Sequence, residues 1–179
     1  MGKSGSTMSE GQKEFKGQAT NRLDDKERVF IPKAFSEAML HLWGPEPSLT
    51  LFAHGVGKCL CLAKKSVWAE ANRGVEKLGL NDPLAIRLRR LNALTTDVRP
   101  DKLGRIPVPK FLRDAAGLRD EVRFVGCRDY LELWDPANFD KETEDLFAGA
   151  GERVASEARS RPEFSGGGTG GASPSGGGV

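Results

Sequence analysis

Asp101-Lys102-Leu103-Gly104-Arg105-Ile106-Pro107-Val108-Pro109-Lys110-Phe111-Leu112-Arg113 repeats a pattern already written once, at Asp24-Asp25-Lys26-Glu27-Arg28-Val29-Phe30-Ile31-Pro32-Lys33-Ala34-Phe35. In each copy an Asp is followed four residues later by an Arg, then by an alternating apolar run and Pro-Lys. Position 24 maps to 101 and 32 to 109, a constant offset of 77. An offset that holds across Asp, Arg, Pro and Lys together marks an internal repeat.

One unit can be read from its own chemistry. A polar turn of Asp, Lys and Gly delivers the chain into a short strand at 105–108, in which Ile106 and Val108 share one face. Pro109 ends the ladder, because its fixed φ and missing N–H suit the first turn of a helix. Lys110 to Ala116 has helical spacing, and Gly117 stands where a helix C-terminus wants a left-handed residue. The first copy runs the same way through Pro32, Phe35, Ala38 and Met39.

Working outward, Phe15 to Leu23 predicts a strand leading into the Asp24 turn. Leu49–Ala53 with Lys58–Leu62, and Glu121–Val125 with Tyr130–Trp134, predict one hairpin in each unit. Leu60 maps to Leu131 at an offset of 71, so the first unit carries six additional residues, expected in its helix-to-strand loop. Trp68, Ala71, Val75 and Leu78 predict an amphipathic helix packed on the core. Asp82-Pro83 and Asp135-Pro136 each read as an N-cap followed by proline at the first helical position. The second of these opens a last helix carrying Phe139, Leu146 and Phe147.

The chain has 179 residues, 38% apolar and 29% charged, with a net charge of only +2. Charge is unevenly placed: 84–113 holds eight basic residues against two acidic, whereas 134–164 holds four against eight. A basic centre beside an acidic end fits a surface that meets phosphate. Arg87, Arg89 and Arg90 lie between the units; a solvated or salt-bridging face is the favoured reading, with nucleic-acid or subunit contact as the alternative. No apolar run approaches a membrane span and no signal pattern opens the chain, so a cytoplasmic protein is expected. Cys59, Cys61 and Cys127 with His41 and His54 do not make a recognisable four-ligand pattern, so the thiols are read as small buried hydrophobes and no metal site is expected. No P-loop, Rossmann, G-x-S-x-G or H-E-x-x-H motif is present, which argues against an enzyme and for function without a cofactor.

The repeated motif resembles the signature of AbrB-type swapped-hairpin DNA-binding domains, and a tandem pair resembles the bacterial MraZ family. Phe15-Lys16-Gly17, Arg87-Leu88-Arg89-Arg90 and Tyr130-Leu131-Glu132-Leu133-Trp134-Asp135 extend the likeness over 15–147. The resemblance implies an α+β, mainly β, fold: two AbrB-like units forming one composite β-barrel with flanking helices. The division expected is a disordered tail at 1–14, a first unit at 15–80, a linker helix and second unit at 81–147, and a Gly/Ser-rich disordered tail at 148–179. It further implies a transcriptional regulator that binds double-stranded DNA at repeated sites upstream of its own division and cell-wall gene cluster, as a ring-like homo-oligomer associated with the nucleoid.

Carried over residue by residue, Arg28 and Arg105 fall on the DNA surface, Arg being suited to phosphate and to guanine. Lys26, Lys102, Lys33, Lys110 and Arg113 would add phosphate contacts. Asp24, Asp101, Gly104, Pro32 and Pro109 would shape the turns. Two other readings stand beside this one: Asp and Arg four apart satisfy each other locally, or the chain is an oligomeric interaction module that docks a protein without specific DNA binding. Glu27 departs from the pattern, standing where the second copy has Gly104. It should disfavour positive φ and phosphate at the first turn, leaving Arg105 with most of the affinity and Arg28 paired with Asp24 or Glu27.

Overall fold

The computed structural model describes residues 14–54, 57–74 and 77–150, with side chains to 148. The expectations placed on 1–13 and 151–179 lie outside these residues. By compactness the chain divides into a unit running to Phe139 and a second beginning at Asp140.

Eight strands and five α-helices are described: β1 (Gln18–Arg22), β2 (Arg28–Phe30), α1 (Lys33–Trp43), β3 (Leu49–Ala53), β4 (Cys59–Lys64), α2 (Lys65–Ala71), α3 (Pro83–Leu91), β5 (Thr95–Val98), β6 (Arg105–Pro107), α4 (Lys110–Ala116), β7 (Glu121–Cys127), β8 (Tyr130–Trp134) and α5 (Pro136–Asp145). The fold is mixed, with the strands in antiparallel pairings: a six-stranded sheet ordered β1-β7-β8-β4-β3-β5 and a two-stranded sheet β2-β6. The repeat explains this order. Match β1 with β5, β3 with β7 and β4 with β8, and the six strands read the same from either edge. The first strand of each repeat pairs with the third of the other, β1 with β7 and β5 with β3, so neither repeat completes its sheet alone.

Period-two patterning builds the core. Leu60 and Leu62 of β4 and Leu131 and Leu133 of β8 are fully buried, as are Val122 and Phe124 of β7 and Leu51 of β3. Phe15, Phe35 and Leu112 join them, the first two edge to face at 6.5 Å. Each such side chain contributes about 1.5–3 kcal/mol by leaving water. At the centre of the β2·β6 ribbon Val29 lies directly opposite Ile106, both with no exposed surface. The ladder is extended at each end by a reciprocal bond: Ile31 N–H donates to Gly104 O (3.0 Å) and Val108 N–H to Glu27 O (2.8 Å). Pro32 and Pro109 then stop the pairing, and a helix starts after each.

Several predicted elements are modified by tertiary context. Of the six additional residues in the first repeat, four lengthen the helix, since α1 has 11 residues and α4 has 7. Helix α4 ends as expected, with Gly117 left-handed at φ 65° and Leu118 N–H closing onto Arg113 O. Of the helix expected through Val75 and Leu78, Lys65–Ala71 is helical and Val75 lies outside the described residues; its packing is Trp68 against Phe52, with centroids 4.3 Å apart, and none of the residues of α2 is fully buried. Asp82 caps α3 through Ala85 N–H (3.0 Å), and Asp135 accepts from Ala137 N–H (3.1 Å) at the start of α5. The last helix ends at Asp145, so Leu146 and Phe147 fall in a following π-turn and are exposed. At Gly126 two stretches of backbone come close together. A Cβ there would lie 2.5 Å from Lys16 N, where Gly126 N–H donates to Gly17 O.

Candidate nucleic-acid interface

The two Asp-x-x-x-Arg turns are built alike. In the first, Asp24 Oδ1 accepts from the backbone N–H of Lys26 and Arg28 (both 2.9 Å), and its Oδ2 takes the Arg28 fork through Nε (2.9 Å) and Nη2 (2.7 Å). In the second, Asp101 Oδ1 accepts from Leu103 and Arg105 N–H (2.9 and 3.0 Å), and its Oδ2 from Arg105 Nε (2.8 Å) and Nη2 (2.7 Å). One carboxylate therefore closes the turn and aims the guanidinium in the same stroke. The local-satisfaction reading is present in both copies at once, not in the first alone.

Antiparallel pairing of β2 with β6 brings the turns together, although they are 77 residues apart. Arg28 Nη1 lies 3.7 Å from Asp101, and Arg105 Nη1 lies 3.4 Å from Asp24. The result is a four-membered ring of alternating charge, Asp24, Arg28, Asp101 and Arg105, with the pseudo-two-fold axis through its middle. Its formal charge is zero. The arginine side chains are 28% and 19% exposed, so each fork is held rigidly while an edge still faces solvent. The Arg28 hydrogen bond, first of all, holds the Asp24 carboxyl down at about 2; the Arg105 backbone N–H and then its fork hold Asp101 there too.

Lysines flank this ring, with the exposed Asp25 beside them. Lys26 and Lys102 are exposed on the turns, and Lys33 and Lys110 are exposed at the starts of α1 and α4. Lys110 pairs with Asp114 at 2.7 Å and Lys33 loosely with Glu37 at 3.8 Å, one helical turn on in each case. Such exposed pairs are weak enough for phosphate to displace. Phe30 is half exposed on the same ribbon, with the Arg105 guanidinium 5.5 Å from its ring centroid.

Arg113 is the predicted cation that the structure does not leave available. It forms an ion pair with Glu27 of the other repeat and is only 20% exposed. Glu27 does adopt positive φ, at 61°, beside 81° for Gly104, so the turn backbone keeps its form despite the side chain. Its carboxylate is drawn to Arg113, not to Arg28. By the repeat offset, Glu27 and Arg113 occupy the places of Gly104 and Ser36. One side of the ring therefore carries a charged pair. On the other, a groove of about 220 Å³ remains, lined by Ser36, Met39, Leu40, Pro100 and Gly104 among others.

Of the α3 arginines, Arg89 donates to the carbonyl oxygens of Leu78 (3.0 Å), Leu80 (3.3 Å) and Gly79 (3.4 Å). It ties a loop to α3. Sequence reasoning missed that role and the Glu27–Arg113 pair; in the second case both departures from the repeat, at 27 and at 113, were the available signal.

Fold and site together define a tandem-repeat α+β protein in which two interleaved halves present one pseudo-symmetric, lysine-flanked turn surface. Residues 92–157 match the family described as "MraZ protein, putative antitoxin-like". Similar proteins include the Transcriptional regulator MraZ of Thermomicrobium roseum, 35% identical over 79% of this chain and 94% of the relative. That of Nitrosospira multiformis is 33% identical (75% and 90%) and that of Delftia acidovorans 30% (70% and 85%). The chain belongs to the MraZ family.

Proposed function

We propose that this chain is a sequence-specific DNA-binding transcriptional regulator. The observation that carries the reading is the junction of the two Asp-x-x-x-Arg turns across β2·β6, with Lys26, Lys102, Lys33 and Lys110 exposed around them. An Asp-braced Arg is preorganised: its fork loses little freedom on meeting a guanine edge or a phosphate, and the lysines supply sequence-independent attraction. The relatives bear the name transcriptional regulator, which supports the same reading.

In this reading the interleaved strands are swapped hairpins closing a composite barrel, and 15–80 and 81–147 are its two AbrB-like units. Copies assemble into a closed homo-oligomer that sets many turn surfaces along repeated sites upstream of the chain's own division and cell-wall gene cluster, raising effective concentration. The protein works in the cytoplasm on the nucleoid, without catalysis and without a cofactor needed for DNA binding. Among the described residues no helix is long and apolar enough to cross a membrane.

The zero net charge of the central ring favours the second reading, a module that docks a protein. Footprinting on the DNA upstream of its own gene, with affinity measured across a salt series, separates the two. Protection of repeated sites and a steep fall of affinity with salt are expected; salt-insensitive, sequence-independent association would reject DNA recognition by this surface.

A further inference from the structure

The face of the six-stranded sheet turned away from the leucine core carries a different chemistry. Along β4, Cys59 and Cys61 point to that face, and Cys61 pairs in register with Glu132 of β8. The Cys59 thiol contacts Cys61, and the Cys127 thiol at the end of β7 contacts Glu132. His54, just past β3, is anchored by its own N–H on Cys59 O (2.9 Å), and Gly57 N–H donates to its Nδ1 (2.8 Å). Donor atoms of His54, Cys61 and Glu132 all lie within 4.8 Å of one another. Glu132 accepts from Trp134 Nε1 (2.8 Å), and no Lys or Arg forms an ion pair with it among the described residues.

We propose that His54, Cys61 and Glu132 form a binding site for a divalent cation of the zinc class, which fastens the two repeats together. The donor set selects the ion. One sulfur, one nitrogen and one oxygen suit borderline Zn²⁺; Ca²⁺ and Mg²⁺ want oxygen throughout, and Cu⁺ wants soft sulfur. Zinc–ligand bonds of about 2.0–2.3 Å place tetrahedral donors roughly 3.3–3.8 Å apart, so closing the cluster takes shifts on the order of 1 Å. The ring nitrogen of His54 that takes the metal is unprotonated, and the other carries the proton. The fourth position falls to water, which reaches the site past the half-buried His54 and Glu132.

The location gives the site its consequence. Cys61 and Glu132 are equivalent positions of the two repeats, offset by 71, and they face each other on the pseudo-two-fold axis. A metal there bonds β4 of one repeat to β8 of the other, on the sheet face opposite the leucine core.

The test uses the full chain without an affinity tag, stripped with chelator and titrated with Co²⁺ and Zn²⁺. Wild type is expected to bind one equivalent, to show a thiolate-to-cobalt charge-transfer band with tetrahedral ligand-field bands, and to melt higher with Zn²⁺. His54→Ala and Glu132→Gln, with folding checked by circular dichroism, should each weaken Zn²⁺ binding by at least about tenfold, and Cys61→Ser should abolish the charge-transfer band. Absence of cobalt uptake by wild type overturns the assignment. So does a charge-transfer band with unchanged affinity in both His54→Ala and Glu132→Gln, which would place the ion on other thiols.

Discussion

Glu27→Gly rebuilds the first turn in the form of the second, and its effects on folding and on DNA separate cleanly. On folding, it removes a non-glycine residue from φ 61°, a relief of about 1 kcal/mol. It also removes the Glu27–Arg113 pair, whose carboxylate is 49% exposed and which is worth about 0–1 kcal/mol. The two nearly cancel, so the urea midpoint should move by less than about 1 kcal/mol equivalent. On DNA the effects add: a carboxylate leaves the turn and the Arg113 guanidinium is released toward phosphate. One further phosphate contact steepens the slope of log K against log salt by about 0.9 and tightens binding at low salt. The assay is fluorescence anisotropy with an upstream duplex over a salt series, on wild type, Glu27→Gly, Arg113→Ser and the double variant. Arg113→Ser alone, leaving Glu27 uncompensated, should weaken binding, and in the Glu27→Gly background it should cancel the gain. If Glu27→Gly weakens binding, or the double variant keeps the steeper slope, then Glu27 contacts DNA or Arg113 is not the cation released, and the reasoning fails.

Arg105→Ala and Arg28→Ala should each cost about 1–3 kcal/mol on the specific site, and Lys110→Ala should lower affinity on every sequence and flatten the salt slope by about one unit; equal affinities for wild type and both Arg variants would remove the ring from the DNA surface. Ile106→Ala empties a fully buried position opposite Val29 and should lower unfolding free energy by about 2–5 kcal/mol in urea titration, a loss below about 1 contradicting the packing. Asp24 and Asp101 have folded pKa values lowered from 3.8 to about 2, so the stability they contribute is complete above the unfolded value and is lost as pH falls from about 4 through about 2. Melting temperature followed over that window should fall less steeply in Asp24→Asn/Asp101→Asn than in wild type, and an identical acid profile would show that the pair contributes no linkage.

The repeat, the proline stops, the helix caps at Asp82 and Asp135 and the hairpins are local events, decided by φ restriction, missing donors and residue alternation, and all can be read from neighbouring residues. So can the braced turn, because Asp24 and Arg28 need only a four-residue span to meet. What the sequence could not show is which strand each strand would choose. Backbone ladders carry no address, and the joint burial of Val29 with Ile106, and of Phe124 and Val122 on β7 alongside β1, decides that the repeats interleave. Interleaving then decides the site. It places Arg28 beside Asp101, closes a neutral ring from two turns, and delivers Arg113 to Glu27 across 86 residues. Residue type at 113 predicted a free cation, but a neighbour with a charge of its own, supplied by the other repeat, determined its state. The same holds for Cys61 and Glu132, unremarkable along the chain and adjacent only because two copies of one strand meet on their own symmetry axis.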